Sequence, residues 1–302
     1  MGVLDNKAVV ITGGAGVLGA AYAEAMAREG ARLVVNDIDA DAVERVVSGL
    51  RSLGADAVGS TDSVTEGAGA ARIVDTCVES YGRIDCLVNS AHQFRRGPIW
   101  ELTEEALDLT MTVHLKGHFA CTRHAAQRMK EQRGGSIITV TSRALHGMPG
   151  SSPYATVKAG ILGATWSWAL ELADYGVRVN CVSPAALKNP AFEPTMHVQW
   201  HTEFTVDRGG QQHGTPTADT VAPLVVYLAS DSSRSVTGQV IFLSGDTLAL
   251  MDQPQYRFAF KPEGWSTEDL QARFQEIMGP HLAQPGQGEP RYRWHGGVGE
   301  KQ

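Results

Sequence analysis

The sequence predicts an α/β fold: a doubly wound parallel sheet in a single domain, followed by a C-terminal extension of different texture. Three observations carry that expectation. Short β-branched runs alternate with longer amphipathic segments over about 240 residues. The runs are continuously apolar rather than alternating, the pattern of strands covered by helices on both faces. A glycine-rich turn follows the first run, and repeated β–α alternation favours parallel strands joined by crossovers.

Taken in order, strand-like runs fall at Ala8–Thr12, Arg32–Asn36, Ile84–Val88, Ser136–Thr141, Val177–Val182 and Val240–Leu243. Helical patterns lie near Leu18–Glu29, Ala40–Leu53, Gly67–Tyr81, Glu104–Gln132, Tyr154–Tyr175 and Ala218–Ser230. No proline- or glycine-rich linker interrupts residues 1–247, which therefore form one expected domain. From Leu248 onward prolines and aromatics are frequent. Only Ser266–Met278 reads as a helix there, with Ser266 as N-cap and Glu268 and Asp269 in its first turn. This extension, 248–302, is expected to pack on the body or on a neighbouring subunit.

Composition narrows the function classes. Hydrophobic residues make up 43% of the 302 and the net charge is −7, which excludes disorder as the main state. The acidic balance argues against a nucleic-acid binder. No apolar run nears the ~18 residues of a membrane span; the longest, Val221–Ala229, contains Pro223. Met1–Lys7 leads straight into an apolar run without a signal-like pattern. Cys77, Cys86, Cys121 and Cys181 are scattered, with no metal or redox spacing. The expectation is a cytoplasmic protein with buried, reduced thiols.

Ala8–Thr12 leads into Gly13-Gly14-Ala15-Gly16-Val17-Leu18-Gly19 and then an alanine-rich helix. Glycines there permit a sharp turn and let backbone N–H groups meet a pyrophosphate at the helix N-terminus. Asn36-Asp37 closes the second run some twenty residues further on. A carboxylate at that place accepts from ribose hydroxyls and repels a 2′-phosphate. No lysine or arginine flanks it or occurs in Gly13–Gly19, so NAD is expected rather than NADP. The plainer alternative is that Asp37 only caps the next helix.

Ser142 follows the run Ser136–Thr141, and Tyr154-Ala155-Thr156-Val157-Lys158 opens a helix a dozen residues later. The i, i+4 spacing puts phenol and ammonium on one helix face. A neighbouring cation is expected to lower the phenol from its usual pKa of ~10. In order, the chain carries the Thr12–Gly19 loop, Asp37, Asp62-Ser63, Asn89-Ser90-Ala91, Ser142 and Tyr154-x-x-x-Lys158. Val179-Asn180-Cys181-Val182-Ser183-Pro184 and Thr237-Gly238-Gln239 complete the series. Through these motifs it resembles the short-chain dehydrogenase/reductase family over about residues 5–247.

The resemblance implies a Rossmann-like sheet and an NAD-dependent interconversion of a secondary alcohol and a ketone by hydride transfer. It implies that Ser142 holds the substrate oxygen, that Tyr154 is the acid/base, and that Lys158 binds the nicotinamide ribose while tuning Tyr154. Implied cofactor contacts come from Gly13, Gly16, Val17, Leu18, Asp37, Ile38, Asp62, Ser63, Asn89, Ala91, Pro184 and Leu187. A homotetramer or dimer is also implied, and Glu104–Gln132 and Tyr154–Tyr175 are candidates to pair across two-fold axes.

The departures are informative. Val17 stands where the family usually has the middle glycine of its loop, Ser90 and His92 replace an asparagine and a glycine, and Ala185 replaces a glycine. Ser142 and Tyr154 are one residue closer than usual. His114, in Val113-His114-Leu115-Lys116-Gly117, takes the place of a helical asparagine that holds a water behind the lysine. A histidine there can hold that water, carry the proton near its pKa of ~6.5, or be a satisfied polar residue within the helix. The same substitution, with the strand end Val34–Asp37, is similar to the (3R)-hydroxyacyl-CoA dehydrogenase domain of peroxisomal multifunctional enzymes. It points to acyl thioesters or related bulky substrates.

Ligands of such sheets sit beyond the C-terminal strand ends. The loops leaving those ends carry His92, Arg95, Arg96, Arg143, His146 and Lys188, so an anionic substrate such as a CoA thioester is expected. Taken singly, each arginine could equally face solvent or an interface. Steroid-like and cyclic alcohols also remain open. Residues 189–213, with Trp200 central among their aromatics, read as a lid or as an ordinary helical insertion. His201, Glu203 and His213 fit no standard ligand set, so no metal is expected. A second function class is a nucleotide-binding regulatory or scaffold protein without turnover. Val17, His92 and Ala185 favour it; Ser142, Tyr154 and Lys158 oppose it.

Overall fold

The five residues of β1 (Ala8–Thr12) are all buried, as a strand in the middle of a two-faced core must be. In the computed structural model, which describes residues 2–185, 217–245, 247–254, 259, 261–281, 292–295 and 298–301, this strand is third in one eight-stranded sheet. Its companions are β2 (Arg32–Asn36), β3 (Ala57–Ser60), β4 (Cys86–Asn89), β5 (Gly135–Val140), β6 (Val177–Pro184), β7 (Val240–Ser244) and β8 (Thr247–Leu250). The order is β3-β2-β1-β4-β5-β6-β7-β8. Seven strands run parallel, and β8 returns antiparallel beside β7.

Helices α1 (Val17–Arg28), α2 (Ala40–Ser52) and α7 (Ala222–Ala229) flank the sheet, as do α3 (Gly67–Tyr81), α4 (Glu104–Met111), α5 (Gly117–Gln132) and α6 (Ser152–Leu172). Successive strand residues feed opposite faces. Val9, Ile11, Leu33 and Val35 join Tyr22, Met26, Val47 and Leu228 in one cluster. Ala8, Val10, Val34 and Leu87 join Ile73, Cys121, Met129 and Leu172 in the other. This is why the strands read as unbroken apolar runs. All four cysteines are buried and unbridged.

Two strands carry no announcement in the sequence. β3 is built from Ala57, Val58, Gly59 and Ser60, small residues that let α2 pack close: a Cβ on Gly59 would stand 2.6 Å from Val43 Cγ1. β8 pairs with β7 from Thr247 to Leu250, so the first of two compact units runs from Met1 to Met251. The pattern at Glu104–Gln132 is also not one helix. A π-helical turn, Thr112–Lys116, separates α4 from α5 and takes in His114.

The second unit, Asp252–Gln302, contains α8 (Thr267–Ile277) and an antiparallel hairpin of β9 (Tyr292–His295) and β10 (Val298–Lys301). α8 starts at a capping box: Ser266 Oγ accepts from Asp269 N at 3.1 Å and the Asp269 carboxylate accepts from Ser266 N at 3.0 Å. Lys261 pairs with the same carboxylate. Among the described residues no helix is long and apolar enough to cross a membrane.

Candidate active site

The site lies where β1, β4, β5 and β6 end. Thr12 Oγ1 accepts from the N–H groups of Ser90 and Ala91, both at 3.2 Å, and so ties the end of β1 to the chain leaving β4. Gly13 follows at φ +63°, and a Cβ there would stand 2.6 Å from Ala91 Cα. A Cβ on Gly19 would stand 2.1 Å from Gly13 O. Only glycine fits either position. Gly16 is the N-cap of α1 and offers no side chain to its first N–H groups, which have no partners within the helix. A methyl there would come 3.3 Å from Gly13 O and 3.8 Å from His92 Cε1. The arrangement is a backbone cradle open to an anion, and it fits a dinucleotide pyrophosphate. Val17 is 39% exposed at the rim, and Leu18 packs on the core.

Asp37, partly buried, follows β2, with its Oδ1 accepting from Asp39 N at 3.4 Å; Ile38 beside it is exposed. Asp39, not Asp37, is the N-cap of α2, its Oδ1 accepting from Ala42 N. Buried Asn36 donates to Ser60 O at 3.1 Å and Asp62 O at 2.8 Å, which brings the chain leaving β3 alongside. The Asp62 carboxylate is held by Arg72 Nε at 2.6 Å and Ser60 Oγ at 3.2 Å. Ser63 Oγ meets Thr65 Oγ1 at 2.8 Å.

Ser142 follows β5 and caps a short 3₁₀ turn, Arg143–His146, accepting from Ala144 N at 3.3 Å. Its hydroxyl faces Tyr154. Lys158, one turn along α6, is 2% exposed; its Nζ donates to Val140 O at 2.8 Å and lies 5.4 Å from the Tyr154 ring centroid. Burial holds the Lys158 ammonium down to about 8. Burial also pushes the Tyr154 phenol up, with the Ser142 hydroxyl opposing. The expected lowering of Tyr154 by Lys158 is therefore not what the folded chain displays. The lysine is fastened to the sheet backbone beside the ring, and loss of solvent dominates the phenol.

His114 is wholly buried in the π turn. Its Nε2 lies 2.7 Å from Gln93 O and 3.2 Å from Gln93 N, and its ring meets Tyr154 edge-on at 5.4 Å. Burial, then the Lys158 charge, drives the imidazole down to about 2, which favours its neutral form. Asn89 Nδ2 donates to Thr122 Oγ1 at 2.9 Å. Pro184 ends β6, and the next residue, Ala185, donates to Leu243 O at 3.0 Å. Three participants escape a reading by motif: Gln93, Phe94 and His118. Phe94 stands edge-on to Tyr154 at 4.8 Å and 88°. His118 is signalled only by its place one helical turn after His114.

On the substrate side His92 and Arg95 are exposed, as is Arg96, whose guanidinium lies 5.0 Å from the Phe94 ring. Arg143 stacks 5.2 Å from the Phe242 ring, and burial lowers it to about 10. His146 is exposed, and loss of solvent followed by the Arg143 charge pushes its imidazole down. Leu187, Lys188, Trp200 and the whole 189–213 segment, with His201, Glu203 and His213, lie outside the described residues. Among the described residues no three His, Cys, Asp or Glu side chains gather as a metal site would require.

A family model described as enoyl-(acyl carrier protein) reductase matches residues 13–245. The chain is 35% identical over 242 residues to (2S)-[(R)-hydroxy(phenyl)methyl]succinyl-CoA dehydrogenase subunit BbsD of Thauera aromatica, covering 80% of this chain and 96% of that one. It is 32% identical over 294 residues to hydroxyacyl-CoA dehydrogenase ChsB1 of Mycobacterium tuberculosis, covering 91% and 89%. A crystal structure of a short chain dehydrogenase from Mycobacterium avium superimposes with a TM-score of 0.82 at 32% identity, over 95% of this chain and 100% of that one.

Proposed function

Because the chain belongs to the short-chain dehydrogenase/reductase family, we propose that it uses NAD(H) to interconvert a secondary alcohol and a ketone on an anionic thioester such as an acyl-CoA. The observation that carries this reading is the buried Tyr154 phenol, facing Ser142 one helical turn from buried Lys158, whose Nζ lies 5.4 Å from the phenol ring. Ser142 holds the substrate oxygen. Tyr154, kept neutral by its burial, gives that oxygen a proton during reduction and takes one back during oxidation. Lys158 places a positive charge beside the phenolate that Tyr154 becomes. NAD(H), when bound, would supply or accept the hydride.

The residues present fit the dinucleotide. Gly13, Gly16 and the N–H groups opening α1 would hold its pyrophosphate, and Asp37 its adenosine ribose. Asn89 and Ala91 would line the cleft, and Lys158 would reach the nicotinamide ribose. Preference for NAD rests on Asp37, whose carboxylate repels a 2′-phosphate. Val17, the loop residue that favours a scaffold reading, is 39% exposed. The thioester rests on Arg143, Arg95 and Arg96 at two strand exits and on two relatives named as CoA-thioester dehydrogenases. Exposed Leu170 and Phe119, on α6 and α5, support self-association through those helices; a monomer by sedimentation at working concentration would remove that part.

The test is turnover of acetoacetyl-CoA by the full chain with each reduced cofactor. The reading expects NADH to be consumed at least about tenfold faster than NADPH. Preference for NADPH would overturn the cofactor assignment, and reduction of simple ketones with none of the thioester would overturn the substrate class.

A further inference from the structure

The chain leaving β4 is fastened at two places to one face of the helix beside it. Asn89 bonds to Thr122 and Gln93 O meets His114, while between them the Ala91 backbone faces buried His118 without a hydrogen bond. Alternate residues of an extended chain advance about 6.6 Å and helical residues four apart about 6 Å, so the two spacings nearly match. The segment therefore stays in step with the helix from the Asn89–Thr122 bond to the Gln93–His114 bond. Its far side is bolted to the glycine loop through Thr12. His114 sits in the π turn, and the residue after Gln93 is Phe94.

His114 and the residue after Gln93 both touch Tyr154. The Phe94 ring stands edge-on to the phenol ring at 4.8 Å and 88°, and the His114 ring at 5.4 Å and 80°. With its proton on Nε2, the nearer atom to Gln93 O, His114 donates to that carbonyl and fixes where Phe94 begins. We propose that His114 and Phe94 are positioning residues for Tyr154: the His114–Gln93 hydrogen bond plants Phe94, and the two rings together hold the phenol at Ser142. The neutrality of His114 agrees with this role. The proposal rests on Tyr154 being the acid/base of the reaction, and it separates His114 from the proton path.

The test labels the full chain with ring-fluorinated tyrosine and assigns the Tyr154 fluorine resonance by its absence in Tyr154→Phe. The same proteins are assayed with NADH and acetoacetyl-CoA. Glutamine carries an N–H as many bonds from Cβ as histidine Nε2, whereas asparagine is one bond short. His114→Gln is expected to keep one sharp Tyr154 line and kcat within about threefold. His114→Ala, His114→Asn and Phe94→Leu are expected to split or broaden that line and to lower kcat about tenfold or more, with KM for NADH within about twofold. An unchanged Tyr154 line in Phe94→Leu and His114→Ala overturns the proposal, as does an asparagine variant equal to the glutamine one. If His114→Ala does not fold, Phe94→Leu alone decides. The fluorine line is read without substrate, so failure to reduce the thioester counts against the functional reading and leaves this test intact.

Discussion

Lys158 Nζ stands 5.4 Å from the centroid of the Tyr154 ring yet donates its hydrogen bond to Val140 O, at 2.8 Å. The ammonium is thus anchored to the sheet in a place that water does not reach, and its pKa falls from 10.5 to about 8. Between those values the unfolded chain binds a proton on this lysine that the folded chain does not, so the Lys158 contribution to stability rises with pH across that window, while the four buried thiols, raised above 9, pull the other way. Lys158→Met should remove that contribution, so the parent should gain on the variant by about 3 kcal/mol as pH rises through the window. Urea unfolding of both chains at the two ends of the window measures it; an identical pH dependence in the variant would contradict the assignment.

His114 and His118 act at the other end of the scale. Burial followed by the Lys158 charge lowers the two imidazoles to about 2 and about 3. Below the ordinary value of 6.5 the unfolded chain takes up protons that the folded chain refuses, so stability falls as pH falls. His114→Gln should make that loss shallower between about pH 6.5 and pH 3. Urea midpoints across the range should show the variant gaining on the parent as pH drops.

The two kinds of loop glycine should separate cleanly. Gly19→Ala drives a Cβ to 2.1 Å from a backbone oxygen and is expected to destabilise the chain by about 1–3 kcal/mol. Gly16→Ala meets nothing nearer than 3.3 Å, so stability should change by less than about 1 kcal/mol. Its methyl stands in the cradle, however, and NADH affinity should fall about tenfold or more. Melting curves with and without NADH distinguish folding from binding.

Asp37→Ser removes the carboxylate proposed to meet the ribose without touching a cap, since Asp39 caps α2. NADPH binding should strengthen and NADH binding weaken, shifting their ratio about tenfold or more. Calorimetric titration reads both constants; an unchanged ratio would place specificity elsewhere.

Much of this was legible because the physics is local. Val9, Ile11 and Val10 announce a two-faced strand by burying on both sides, and Tyr154 and Lys158 announce a shared helix face by spacing alone. β3 was not legible, because Gly59 and Ala57 are chosen for the closeness of α2 rather than for strand propensity. Nor was β8, whose residues alternate between partly buried and exposed at the sheet edge. The break before Gly117 was hidden since a π turn leaves the amphipathic pattern nearly intact. In the site, Ser142, Tyr154 and Lys158 could be read from motif, whereas Gln93 and Phe94 act through a backbone carbonyl and a ring edge that no motif encodes. The direction of the Tyr154 shift depended on burial, which spacing does not report.

The most direct measurement is the single-turnover rate of NADH oxidation by acetoacetyl-CoA in the parent chain and in Tyr154→Phe. The variant keeps the ring and its edge-on neighbours and loses only the hydroxyl that faces Ser142. The account predicts that NADH still binds within about twofold while the rate falls about a hundredfold or more. A Tyr154→Phe chain that oxidises NADH at the parent rate would show that the proton comes from another group.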